Sequence, residues 1–229
     1  MLKFLAGLIC SVLIGTTLAA TPQPQKPNDT SLVEGKDYTI LNVAVTKTPE
    51  PKDKINVKEF FSYTCIHCKE VEPLVEKSIV SNKNLDFNKI QVVWSDQAEI
   101  AGFAKLSATI TELKLSKLNA PIFEAIFGNT NLNDPETLKK FLLKNGLTSK
   151  EIDNFMATYN SFAIAGKVGE YKNLTKGYNI SGTPTFIIAD KYVANPALPE
   201  RLITVVNALI NKAKQEATTT SKPTTKAKK

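Results

Sequence analysis

The sequence predicts an α/β fold in which a sheet domain, made of a βαβ half and a ββα half, is interrupted by a helical domain inserted between them. Three observations carry this reading. Strand-like runs at residues 38–45, 55–63 and 85–94 enclose a helical stretch that begins at Cys65. A helical pattern then occupies 97–177, and strand-like residues return at 183–189 ahead of a last amphipathic helix. The chain has 229 residues, 42% hydrophobic and 22% charged, which is the composition of a folded globular protein and excludes a disordered or fibrous one.

Residues 1–20, MLKFLAGLICSVLIGTTLAA, combine Lys3, an apolar run and the small residues Ala19 and Ala20, and read as a secretory signal peptide cleaved near Ala19/Ala20. The apolar run is about 15 residues, short of the roughly 20 that span a bilayer. A lipoprotein cut before Cys10 is disfavoured by the bulk of Ile9. Residues 21–35 begin TPQPQKPNDT and read as a linker with little to bury. The first half of the sheet domain is expected at 36–96. There, 38–45 (YTILNVAV) is rich in β-branched residues, the chain breaks at Pro49 and Pro51, and 55–63 (INVKEFFSY) forms a second strand running into Cys65. Ile66, Val71, Leu74, Val75 and Ile79 fall at helical spacing, with Pro73 expected to bend the helix, and 85–94 closes the unit as a third strand.

The insertion, 97–177, should hold four or five helices. One covers 97–113 on the spacing of Ile100, Phe103, Ala104, Ile110 and Leu113. Another starts at Asp134 as N-cap, with Pro135 in the first turn, and is closed by Gly146; Thr148 and Glu151 offer a capping box for the next. The second half of the sheet domain is placed at 178–212, with a strand at 183–189, a short partner at 191–194 and a helix at 199–212. Leu202, Val205, Val206, Leu209 and Ile210 form the apolar face of that helix. Residues 213–229 read as a disordered basic tail.

The formal charge of +7 loses its weight once located. From Lys212 onward there are six Lys against Glu216 alone, and Lys3 sits in the leader, so +1 remains for 21–211. With Arg201 the only arginine, bidentate recognition of phosphate or guanine has almost nothing to work with, and nucleic acid is not expected as a partner. After loss of Cys10 with the leader, the mature chain holds two cysteines, Cys65 and Cys68, around its only histidine, His67, in an oxidising compartment.

Two cysteines three apart at a helix start can form a disulfide or share a metal. The free N–H groups and positive dipole end of the helix favour a thiolate, so Cys65 is expected to be the activated sulfur, with His67 stabilising it further as an imidazolium or hydrogen-bond donor. A stabilised thiolate means a stable reduced form and hence an oxidising disulfide. A purely structural disulfide here closes too short a loop to constrain the unfolded chain much. A zinc site lacks a fourth Cys/His ligand in the mature chain, and a haem site wants His after the second cysteine, where Lys69 stands. A CxxC after a strand in a βαβ pattern is the thioredoxin-like redox signature.

The segment EFFSYTCIHCKEVEP from Glu59, together with GTPTFIIADKYV from Gly182, resembles the DsbA family of exported thiol-disulfide oxidoreductases over roughly residues 35–212. The resemblance implies a thioredoxin-like fold with the helical insertion in its expected place, Cys65 and Cys68 as the catalytic pair and His67 as the active-site histidine. It also implies a depressed thiolate pKa and an oxidising potential, of which this family is itself the standard example. By the same resemblance Pro184 is the cis-proline facing the disulfide. Thr183 then offers its backbone to an extended substrate as an added strand does. Glu59 matches the family's buried acid and Lys89 its partner base, expected to manage the proton of Cys68; an exposed charge pair at a strand end is the rival reading on sequence alone. Ile66 and an exposed groove bordered by the helical insertion are expected to supply nonspecific substrate contact.

No dissociable cofactor beyond the redox-active Cys65–Cys68 disulfide and no metal are expected. The implied partners are reduced exported polypeptides and an inner-membrane, quinone-linked oxidase of the DsbB type. The chain is expected in the periplasm as a monomer, because an N-terminal dimerisation domain of the isomerase kind has no room ahead of the first strand. Two departures from the family pattern, Ile66 where many members have Pro and Thr183 before the proline as in isomerases, leave a reductase or isomerase as the alternative direction. A noncatalytic, chaperone-like binding protein is the alternative of another class.

Overall fold

Strand β2, Ile55–Phe61, is the centre of the sheet, and its sequence shows why: beyond Ile55 every residue is buried, the charged ones included. A strand covered on both faces cannot alternate polar with apolar and must pair its charges internally. In the computed structural model, which describes residues 32–43 and 54–220, β2 pairs in parallel with β3 (Leu85–Gln91) and antiparallel with β4 (Thr185–Ile188). The five-stranded order is β1-β5-β4-β2-β3, with β1 (Tyr38–Ile40) and β5 (Tyr192–Ala194) completing it by antiparallel pairing. The signal peptide, most of the linker, the Pro49–Pro51 break and the last nine positions lie outside the described residues.

Helix α1 (Ile66–Val75) leaves the end of β2 and passes into a π-helical turn, Glu76–Val80. Five α-helices then separate β3 from β4: α2 (Ala98–Glu112), α3 (Asn119–Phe127), α4 (Pro135–Lys144), α5 (Ser149–Tyr159) and α6 (Phe162–Gly177). Three of them, α2, α4 and α5, start where the sequence places them; the sequence reading assigns no start to α3 or α6. Asp134 Oδ2 accepts from the Thr137 N–H (2.8 Å), and Thr148 and Glu151 form the reciprocal capping box. Gly146 closes α4 with φ +88°, a left-handed setting that suits glycine.

Three apolar clusters organise the molecule. On one face of the sheet Val57, Phe186 and Ile188 pack against Val71 and Val75 of α1 and Val206 and Leu209 of α7 (Pro199–Thr220). On the other, Phe60, Ile90 and Ile187 meet Ala104 and Ala108 of α2 and Tyr171 of α6. The third fills the helical insertion, and Phe61, Tyr63 and Cys68 project into it from the sheet domain. The redox segment therefore lies on the seam between the two parts.

Several boundaries differ from the sequence reading. β1 covers Tyr38–Ile40, the three residues that pair with β5, and positions 44 and 45 of the expected strand lie outside the described residues. β2 ends at Phe61 because the chain turns toward α1, with the Cys65 N–H donating to Ser62 O (3.0 Å). β3 ends at Gln91 and β4 begins at Thr185, later than the expected start at 183. The largest difference is at the C-terminus, where α7 runs on to Thr220, so part of the expected disordered tail is helical. Ala213 is buried on the sheet, and Glu216 is held by Lys191 (2.7 Å), Lys212 (3.2 Å) and the Tyr192 hydroxyl (2.5 Å).

Candidate active site

Cys65 is the N-cap of α1 in extended backbone conformation (φ −93°, ψ 117°), and its sulfur takes the place of the usual capping oxygen, accepting from the Cys68 N–H at 3.4 Å. On its other side the Cys65 thiol donates to the carbonyl of Thr183 at 3.3 Å. Thr183 precedes Pro184 through a cis peptide bond, so this segment and the CxxC meet across the sheet end as the sequence reading expects. Both cysteines are thiols in the structure; Cys65 is partly exposed and Cys68 fully buried.

That difference in burial separates their chemistry. The Cys65 thiol is lowered from 9.0 to about 5, chiefly because the Cys68 thiol donates to its sulfur, with the Thr183 side chain and the backbone N–H groups of Cys68 and His67 adding to the effect against partial desolvation. Cys68 is pushed up strongly, first by burial, then by its hydrogen bond to Cys65 and the nearby Glu59 carboxyl. One sulfur is built to exist as a thiolate and its neighbour as a thiol.

Beneath them lies a buried ionic group. Glu59 is completely buried on β2, and Lys89 lies opposite it on β3 in the parallel register. The Lys89 ammonium donates to Glu59 Oε2 and to Glu72 Oε2, both at 2.6 Å, and sits 4.4 Å from the centre of the Phe61 ring. The rival reading of an exposed strand-end pair is thereby set aside. Burial raises Glu59 from 4.5 to about 7; Lys89 opposes this, while Glu72 and Cys65 add to it. For Lys89, burial works to lower the pKa but the two carboxylates more than offset it, so it is raised and the ammonium stays charged. Glu59 Oε1 is buried without a protein hydrogen-bond partner among the described residues.

Two expectations need correction. The His67 ring does not serve the sulfur: its side chain is 74% exposed and its Nδ1 pairs with Glu70 Oε2 at 3.1 Å, so what His67 brings to Cys65 is its backbone N–H. The groove beside the cysteines is bordered not by the helical insertion but by α1, the Thr183–Pro184 segment, β5 and the loop into α7. It encloses about 770 Å³, with Val71, Pro184, Leu198 and Leu202 among its apolar lining, and Leu198 is 79% exposed. Ile66, beside Cys65, is 45% exposed.

Glu72 escaped the sequence reading, although a signal existed. The buried positions of α1 are Cys68, Val71, Glu72 and Val75, the spacing of one helix face, so an acid at 72 must point inward beside Cys68. Tyr63 also escaped; its hydroxyl donates to Asn119 Oδ1 (2.7 Å) in the buried seam with α3.

Comparison with known proteins agrees with this geometry. The family model of a DSBA-like thioredoxin domain matches residues 101–208. The thiol:disulfide interchange protein DsbA of Burkholderia cepacia is 33% identical over 204 residues, covering 86% of this chain and 89% of its own; that of Pseudomonas syringae pv. tomato is 30% identical over 218 residues, covering 93% and 95%. Reduced DsbA1 from Neisseria meningitidis superposes with a TM-score of 0.70 at 30% identity, covering 82% of this chain and 98% of its own. A CxxC capping a helix, a carbonyl from the cis-proline segment on its first sulfur, and likeness in sequence and shape over most of the length establish that the chain belongs to the DsbA family of thiol-disulfide oxidoreductases, with its thioredoxin-like fold.

Proposed function

We propose that this protein is a periplasmic disulfide donor, oxidising newly exported polypeptides at Cys65–Cys68. The observation that carries the direction is the paired burial of the two sulfurs: a Cys65 thiolate lowered to about 5 stabilises the reduced enzyme and so makes its disulfide a strong acceptor of electrons. A substrate thiolate attacks Cys65 Sγ; the Cys65–Cys68 bond breaks as the mixed disulfide forms, and the electron pair leaves on Cys68, which takes a proton. A second substrate thiolate then attacks the substrate sulfur, expelling Cys65 as a thiolate. The substrate loses two electrons and the enzyme gains them.

Glu59 supplies and recovers the Cys68 proton in this scheme, since it is raised to about 7 and is among the charges acting on that sulfur. Lys89 and Glu72 hold it in place. An extended substrate pairs with the half-buried main chain at Thr183, and its apolar side chains rest on Ile66 and in the groove at Leu198, contacts that demand no particular sequence. The reduced enzyme passes its electrons to a quinone-linked membrane oxidase of the DsbB type. In this scheme the enzyme works as a monomer after cleavage near Ala19/Ala20, with no dissociable cofactor and no metal. Cys65→Ser abolishes turnover, whereas Cys68→Ser accumulates mixed disulfides visible on nonreducing gels; oxidase activity retained by the first variant overturns the scheme.

A further inference from the structure

Trp94 is the only tryptophan of the chain and follows the end of β3 by three residues. The parallel register sets Phe61 opposite Gln91, and the Val92 N–H donates to Phe61 O (2.9 Å) just past it, before the β2 side of the pair turns toward α1. The indole N–H then reaches across the sheet end to the carbonyl of Ile180 at 2.8 Å. Ile180 is itself anchored, its side chain buried and its N–H donating to Thr175 O (3.0 Å) at the end of α6.

Beyond Ile180 the chain passes through exposed Ser181 and Gly182 to Thr183, whose carbonyl lies 3.3 Å from Cys65 Sγ. Little packing holds this span: a Cβ on Gly182 would meet nothing within 4 Å. Hydrogen bonds do so instead, from Trp94 at one end and from Thr185 Oγ1 to Gly182 O (2.8 Å) at the other. Trp94 is 52% exposed, so its ring is not a core filler, and a phenylalanine there would keep the ring without the donor.

We propose that Trp94 is a positioning residue for substrate pairing: its indole N–H clamps the Ile180 carbonyl and so keeps the Thr183 main chain set to receive an extended polypeptide at Cys65. This rests on the strand-like pairing at Thr183 described above. A clamp of this kind lowers the ordering cost that binding must otherwise meet, and it acts only on substrates that have a backbone to pair.

The test compares attack on the oxidised full-length enzyme by an extended cysteine-containing peptide and by 2-mercaptoethanol, at equal thiolate concentration. The variants are Trp94→Phe and replacement of Trp94 by benzothienylalanine, which keeps the indole shape and lacks the N–H. Both variants should lose about tenfold in the peptide rate while the mercaptoethanol rate stays within about twofold, as expected for one lost hydrogen bond confined to pairing. An unchanged peptide rate, or a parallel fall in both rates, overturns the assignment. A wild-type enzyme that shows no advantage for the peptide over mercaptoethanol defeats the pairing reading itself, and the role of Trp94 with it.

Discussion

Cys65 and Cys68 differ in acidity because one turn of helix puts the first at the partly exposed cap and the second in the core of the insertion seam. In the reduced protein, thiolate absorbance near 240 nm should therefore titrate at about pH 5 for Cys65, with no second thiol titrating below neutrality. The sign follows from the depression of the pKa: the stabilisation this thiolate brings to the reduced form is full above pH 9.0, declines as pH falls and is gone below about 5. Glu59 runs the other way. Raised from 4.5 to about 7, it is protonated more readily in the fold than outside it, so its burial costs stability as pH rises through that window. Glu59→Gln should flatten the pH dependence of exchange around neutrality, and an unchanged profile removes Glu59 from the proton path. Cys65 and Cys68 were legible in the sequence because their spacing after a strand is a motif, whereas Pro184 was legible only through the family resemblance of its segment. The outward turn of the His67 ring was not legible, since it depends on Glu70 one turn along the same helix face.

The elements around the site are held by charges that the strand pattern hides. On β2, Lys58 is as buried as Glu59 but serves the opposite end of the pairing: its ammonium reaches Asp190 Oδ1 (2.6 Å) and Asn56 Oδ1 (2.7 Å), and the Tyr178 hydroxyl also donates to Asp190 (2.6 Å). Asp190 sits with Ala189 in the tight β4–β5 turn, both at positive φ (46° and 53°), so the pair ties that turn to the central strand. Lys58→Met leaves the aspartate buried without its cation and should cost about 3–5 kcal/mol in urea unfolding, while adding Asp190→Asn should recover most of it. A full loss that persists in the double variant contradicts a paired role. Lys89→Met should cost a similar amount, about 3–5 kcal/mol, and less at low pH, where Glu59 is protonated. Sequence reading found these strands because β-branched and aromatic runs mark them. It missed the end of α7 because a lysine-rich segment without aromatics resembles a solvated tail, whereas Glu216 docking on Lys191 and Tyr192 is a tertiary effect.

Taken together, the parts explain why so few polar residues suffice. The insertion supplies the apolar seam that buries Cys68, the sheet supplies Glu59 and Lys89 and α1 supplies Glu72 for the ionic group beneath it, and the cis-proline segment supplies the main chain facing Cys65. The order of the two sheet halves and the position of the insertion were readable from periodicity alone, because helical and strand periods differ over long runs. The groove was assigned to the wrong border, since nothing in the local pattern says that the loop through Leu198 folds back toward α1. The direction of electron flow is the property on which the whole scheme turns. Equilibrating the protein with glutathione redox buffers measures it: a Cys65–Cys68 potential well above about −200 mV is what a disulfide donor requires, and a value at or below that poise contradicts the proposal and identifies a reductase.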